Sequence, residues 1–130
     1  MSVDRQLIVA GIYDALNARD LDELLEHLAP EVEWAHGIDG GREHSRAGVR
    51  AFWEKTWKEV NPLIEPMEMQ TVDGAVHVRV QQFVTSLAGA VLQNKKVGHI
   101  FSFDGPFVTR LDVIDADPNP EADDDEDGDA

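Results

Sequence analysis

Apolar residues first recur at helical spacing. Ile8, Ile12, Ala15 and Leu16 stand at i, i+4, i+7 and i+8, and predict an amphipathic helix over 4–17. Asn17-Ala18-Arg19 interrupts it. Asp20, with Glu23 three residues on, has the spacing of a capping box and opens a second helix carrying Leu21, Leu24, Leu25 and Leu28, which Pro30 closes. Glu31 to His36 reads as a short strand, with Val32 and Trp34 on one face and Glu33 on the other. Gly37-Ile38-Asp39-Gly40-Gly41 is a loop. Ser45 caps a third helix over 46–59, with an apolar stripe of Val49, Phe52, Trp53, Trp57 and Val60.

From Pro62 the period changes to two. Residues 63–72 predict a strand whose Pro66 fits an edge or a bulge. Over 75–86 the alternation is strict: Val76, Val78, Val80 and Val84 face one way, His77, Arg79, Gln81 and Phe83 the other. A long strand covers 91–103 and puts Val97, His99, Phe101 and Phe103 on one face. Asp104-Gly105-Pro106 turns the chain into a last strand, Phe107 to Ile114. Long strands joined by short turns form an antiparallel sheet. The expectation is one α+β domain over 1–116.

Charge then separates the two ends. The net charge of −15 comes from 26 acids against 11 bases, but eight of those acids lie after residue 116 and no base does. The body therefore holds 18 acids against 11 bases, a net of −7. That is an ordinary dispersing surface. Residues 117–130, acids and small residues around Pro118 and Pro120, have nothing to bury and predict a disordered acidic tail. The only adjacent basic pair is Lys95-Lys96, which argues against a nucleic-acid partner. Leu7 to Ile12 is too short to span a bilayer, so the reading is a soluble cytoplasmic protein without a membrane partner. The absence of cysteine excludes disulfides and thiolate chemistry. The five histidines show no short ligand pair, so no metal is expected.

Several runs together carry a family resemblance. Tyr13-Asp14-Ala15-Leu16-Asn17-Ala18-Arg19-Asp20-Leu21-Asp22 resembles the first helix turn of the ketosteroid isomerase-like and SnoaL-like branch of the nuclear transport factor 2 superfamily. Glu31-Val32-Glu33-Trp34 resembles its first strand, Gly48-Val49-Arg50-Ala51-Phe52-Trp53 its third helix, and Phe101-Ser102-Phe103-Asp104-Gly105 its closing hairpin. The resemblance implies a cystatin-like cone, in which three N-terminal helices pack on a curved, mixed, mainly antiparallel sheet. It also implies an open pocket between the layers, a homodimer through the outer sheet face, and no cofactor. Isomerases, cyclases and non-catalytic modules share this fold, so the fold leaves activity open.

Candidate chemistry follows from that alignment. His36 falls where the isomerases keep a general-base aspartate, and imidazole can do that work. His99 falls where they keep an acid that donates to the developing enolate, and a neutral histidine with a fixed tautomer can donate as well. Tyr13 resembles their oxyanion tyrosine, displaced by one position, since Ile12 occupies its place. The other reading of Tyr13 is a core tyrosine with its hydroxyl at the rim. Trp34, Phe52, Trp53 and Phe101 are aromatic at core spacing and offer walls for a ring-shaped ligand. Arg79 and Gln81 share a strand face: concave, it would orient a carboxylate or oxyanion; convex, it would meet a partner subunit. Two functions stay open. One is a binder of an apolar, carbonyl-bearing small molecule, acting as a cofactor-independent isomerase or cyclase through His36 and His99. The other is a non-catalytic homodimeric module.

Overall fold

The first helix begins where Asp4 caps it, its carboxylate accepting the N–H groups of Gln6 and Leu7 in a computed structural model that describes residues 4–37 and 41–115. This helix, α1 (Arg5–Ala18), ends at Arg19, whose φ of 60° lets the Arg19 and Asp20 N–H groups close back on Leu16 and Ala15. Asp20 then caps α2 (Leu21–Glu26) by accepting the Glu23 N–H at 3.1 Å. Only half of the predicted capping box forms. The Asp20 N–H is already committed to Ala15, and the Glu23 carboxylate turns instead to His27 at 3.1 Å.

The leucine periodicity does not carry α2 to Pro30. The His27 carbonyl accepts the Val108 N–H at 2.9 Å, and Leu28 opens the strand β1 (Leu28–Ala35) in register with Val108. Pro30, which has no N–H for a helix, is carried within that strand. A two-residue strand, β2 (Arg42–Glu43), follows, then α3 (Arg46–Glu59), which Ser45 caps at the Gly48 N–H. The third helix thus follows β1 and β2 rather than directly joining the other two.

Four long strands follow among the described residues: β3 (Val60–Val72), β4 (Ala75–Ser86), β5 (Val91–Asp104) and β6 (Phe107–Ile114). They form one six-stranded sheet in the order β2-β1-β6-β5-β4-β3, parallel only where β1 meets β6. Pro66 lies on the edge strand, beside a register shift between Pro66 and Glu68. Further shifts fall at Val84/Thr85 and Ser102/Phe103, and such bulges bend the strands that carry them.

The helices cover the face made by Val76, Val78, Val80, Val97, Phe101, Val108 and Leu111, all buried. Fully burying a Val, Leu or Phe side chain is worth about 1.5–3 kcal/mol, so this layer holds the halves together. Side chains pin α1 at both ends. The Asn17 amide donates to the Ile64 carbonyl at 2.8 Å and accepts its N–H at 3.0 Å, as a neighbouring strand would. Arg5 donates to the Gly74 and Gly105 carbonyls and lies over the Phe103 ring. Among the described residues no helix is long and apolar enough to cross a membrane. The tail expected over 117–130 lies outside the described residues.

Candidate functional site

Between α1, α3, β1 and the inner sheet face the layers part and leave a cavity of about 300 Å³. The deep wall is built from α1 and β5. On α1 the buried stripe is Val9, Ile12, Tyr13 and Leu16, wide enough to hold both members of the Ile12-Tyr13 pair. The one-residue displacement of the tyrosine therefore does not turn it outward. Nor is its hydroxyl at the rim: Tyr13 is buried, and its Oη lies 2.7 Å from His99 Nδ1. On β5 strict alternation turns Val97, His99 and Phe101 inward together. Phe101 meets both Tyr13 and His99 edge-on, with centroids 5.8 and 6.1 Å away, and Trp34 closes on Phe101 from β1.

Burial sets the protonation of this pair. Desolvation lowers the His99 pKa from 6.5 to about 4 and raises that of Tyr13 well above its usual 10, so both are neutral at pH 7. The Tyr13 hydroxyl has no other acceptor among the described residues. The contact admits two tautomers; in the one where the Tyr13 hydroxyl donates to Nδ1, the imidazole proton stands on Nε2. Nε2 makes no hydrogen bond within the described residues and is not among the sealed, unpartnered atoms, so it keeps access to the cavity His99 lines. Accepting a bond at Nδ1 polarises the ring and strengthens Nε2–H as a donor.

The mouth is built differently. His36 follows β1, and its N–H donates to the Gly41 carbonyl at 3.0 Å, closing the loop. Gly41 sits at φ +82°, and a Cβ there would fall 2.9 Å from His36 Nδ1, so both backbone and space call for glycine. The His36 ring lies flat on Phe52, centroids 4.6 Å apart, and its Nε2 meets Glu43 Oε2 at 2.7 Å. Phe52 and Trp53 of α3 complete this wall. Trp53 Nε1–H is buried with no acceptor, an arrangement that costs about 1–3 kcal/mol.

His36 and His99 therefore line the same cavity, together with Tyr13, Trp34, Phe52, Trp53 and Phe101. Arg79 and Gln81 do not. With Val76, Val78 and Val80 facing the helices, odd-numbered positions of β4 face the convex side. There Arg79 pairs with Glu68 at 2.7 Å and Gln81 donates to Asn94. The same parity brings in Gln82, bonded to Gln93 of β5, and Lys95 beyond it. The valine alternation already contained that signal, since Gln82 shares the face of Val80 and Val84. Glu43 is a residue the sequence reading missed: it pairs with Trp34 where β2 joins β1. Among the described residues no group of three His, Asp or Glu could hold a metal ion.

Comparison with known proteins agrees with this architecture. A family described as the SnoaL-like domain matches residues 9–111. No curated protein matches. An NTF2-like protein of unknown function from Burkholderia pseudomallei is similar at 24% identity and a TM-score of 0.75, covering 84% of this chain and 88% of its own. A candidate polyketide cyclase from Xanthomonas campestris pv. campestris shares 20% identity, with a TM-score of 0.74, 84% of this chain and 87% of its own. TerC, co-crystallised with polyporic acid, shares 22% identity with a TM-score of 0.76, covering 93% of this chain and 95% of its own. At these identities the structures speak for the fold alone, whereas the family match spans most of the chain. Helices on a curved six-stranded sheet, a hollow between them and that match give one conclusion: the chain belongs to the SnoaL-like domain family.

Proposed function

We propose that this SnoaL-like protein binds a small carbonyl-bearing molecule in the cavity and moves a proton beside that carbonyl without a cofactor. The observation that carries the reading is the buried Tyr13–His99 hydrogen bond at the cavity wall. A neutral imidazole held in one tautomer gives Nε2–H a fixed direction and no charge to be displaced. That is what an enolate oxygen needs from its donor in a water-poor site. His36, oriented by Glu43 through Nε2, is the proton acceptor. The proton leaves the carbon next to the carbonyl for His36, the electron pair moves onto the oxygen, and the pair returns when the proton is delivered to another carbon.

The test is solvent deuterium incorporation beside the carbonyl of a cyclic ketone such as 2-tetralone, followed by proton NMR. The full chain is expected to accelerate exchange, and His99→Ala and His36→Ala each to remove most of the acceleration. Wild-type rates in both variants would overturn the assignment.

A second reading, a non-catalytic homodimeric module, is favoured by the convex sheet face. There Leu63, exposed, pairs across strands with the half-exposed Phe83, and Ile100 is also half-buried. Sedimentation velocity separates the states: a dimer without ketone exchange supports the second reading against the first.

A further inference from the structure

One residue in five of the chain is acidic, 26 of 130, yet no Asp or Glu is among the described residues that line the cavity. The nearest acid placed by a hydrogen bond, Glu43, stands behind the His36 ring. Among the described lining residues only Lys95 has a permanent charge; it is exposed and has no ion-pair partner among the described residues. The wall also carries neutral groups, His99 Nε2 and the bonded amides of Gln82 and Gln93. Among the described residues the wall thus carries no carboxylate and is positive at one end.

The strand β5 arranges these groups in a line. Lys95, Val97 and His99 share one face, so a cation, an apolar step and a neutral donor follow each other toward the interior. Four residues of extended chain separate the Cα atoms of Lys95 and His99 by about 13 Å. A lysine stem bent over Val97 would bring the two polar heads closer than that, within reach of a body of two fused rings. The volume, about 300 Å³, lies at the lower end of ligand pockets and suits such a body.

We infer that the occupant is a flat, singly charged anion of one or two fused rings. Its acidic group meets Lys95, its body lies on Val97, and an uncharged oxygen at the far end accepts from His99 Nε2–H. A keto acid or quinone acid has this chemistry. The inference rests on the cavity-binding reading above and narrows its ligand from any carbonyl compound to an acidic one.

Isothermal titration of the full chain with three probes of one shape tests it: 6-acetyl-2-naphthoate, uncharged 2-acetylnaphthalene, and the aminomethyl cation in place of the carboxylate. The expected order is anion, neutral, cation, each step roughly two- to fivefold, the size of one partly exposed charge contact. Lys95→Met should bring anion and neutral ketone to equal affinity, and Lys95→Glu should reverse their order; both changes are on an exposed position. If the neutral ketone binds wild type as tightly as the acid, or if Lys95→Met keeps the preference, the anion inference falls while the cavity reading stands. If no probe binds wild type, both fall together.

Discussion

The two ends of the cavity use the same kind of side chain under opposite conditions. At the deep end His99 is 6% exposed and bonded to a tyrosine 86 residues away in sequence, so two separate elements must dock before the pair exists. At the mouth His36 has 36% of its side chain exposed and is bonded to a glutamate only seven residues away. Burial removes charge from the deep imidazole, while a carboxylate and open water surround the outer one. The same residue type thus supplies a neutral donor inside and a carboxylate-oriented ring outside. The contrast comes from placement, not from composition.

Removing packing at each end sharpens the comparison most. Phe101 is 1% exposed and touches Tyr13, Trp34 and His99 with its ring. Phe101→Ala should cost about 3–5 kcal/mol in urea unfolding, the range for a buried aromatic that leaves a hole. Phe52 is half-buried and stacks on His36 alone among the histidines. Phe52→Ala should cost about 1–2 kcal/mol, within the common range for single substitutions. Equal costs would show that the mouth is as rigidly packed as the interior, and would dissolve the distinction.

Titration gives the next largest effect. The folded-state pKa of His99 is about 4 against 6.5 when unfolded, so between those values the unfolded chain binds more protons. Stability is therefore complete above pH 6.5 and declines as pH falls toward 4. Between pH 7 and pH 5 this one group should remove about 2 kcal/mol of unfolding free energy. His99→Gln, which can still accept from Tyr13, should flatten the profile in that window. A wild-type profile no steeper than the variant's would show that His99 does not stay neutral in the folded chain.

A smaller stability effect belongs to the mouth. Glu43→Gln removes a half-exposed charge partner of His36, and stability should change by less than about 1 kcal/mol. The rate of ketone exchange, however, should fall at unchanged ligand affinity, because Glu43 orients the ring and does not line the cavity. A fall in affinity instead would make the pair part of the binding surface.

Periodicity reached the elements more readily than their pairings. The strand over 75–86 and the helix over 46–59 are visible because their apolar residues hold one period through most of the element. The boundary at Leu28 is not, because leucine suits both the helix behind it and the strand ahead; a distant carbonyl acceptance from Val108 decides. The two residues of β2 are too few to show any period, and with them went Glu43. For the site, alternation alone placed His99 and Phe101 together. The facing of β4 depended on which side the helices cover, and no single strand contains that information.

The smallest expected effect tests that last point. Arg79 sits on the convex face of β4, with Gln82 three residues along on the concave one. Its ion pair with Glu68 is partly exposed and should be worth no more than about 1 kcal/mol. Arg79→Ala should leave ligand affinity within error of wild type. Gln82→Leu should change it, because that amide lies on the cavity wall and holds Gln93 in place. If Arg79→Ala weakens binding while sedimentation shows a dimer losing its partner, the convex face reaches the ligand through assembly, and the two sides of the sheet are coupled. If it weakens binding in a monomer, the parity of β4 is wrong, and the site must be redrawn around the odd-numbered residues.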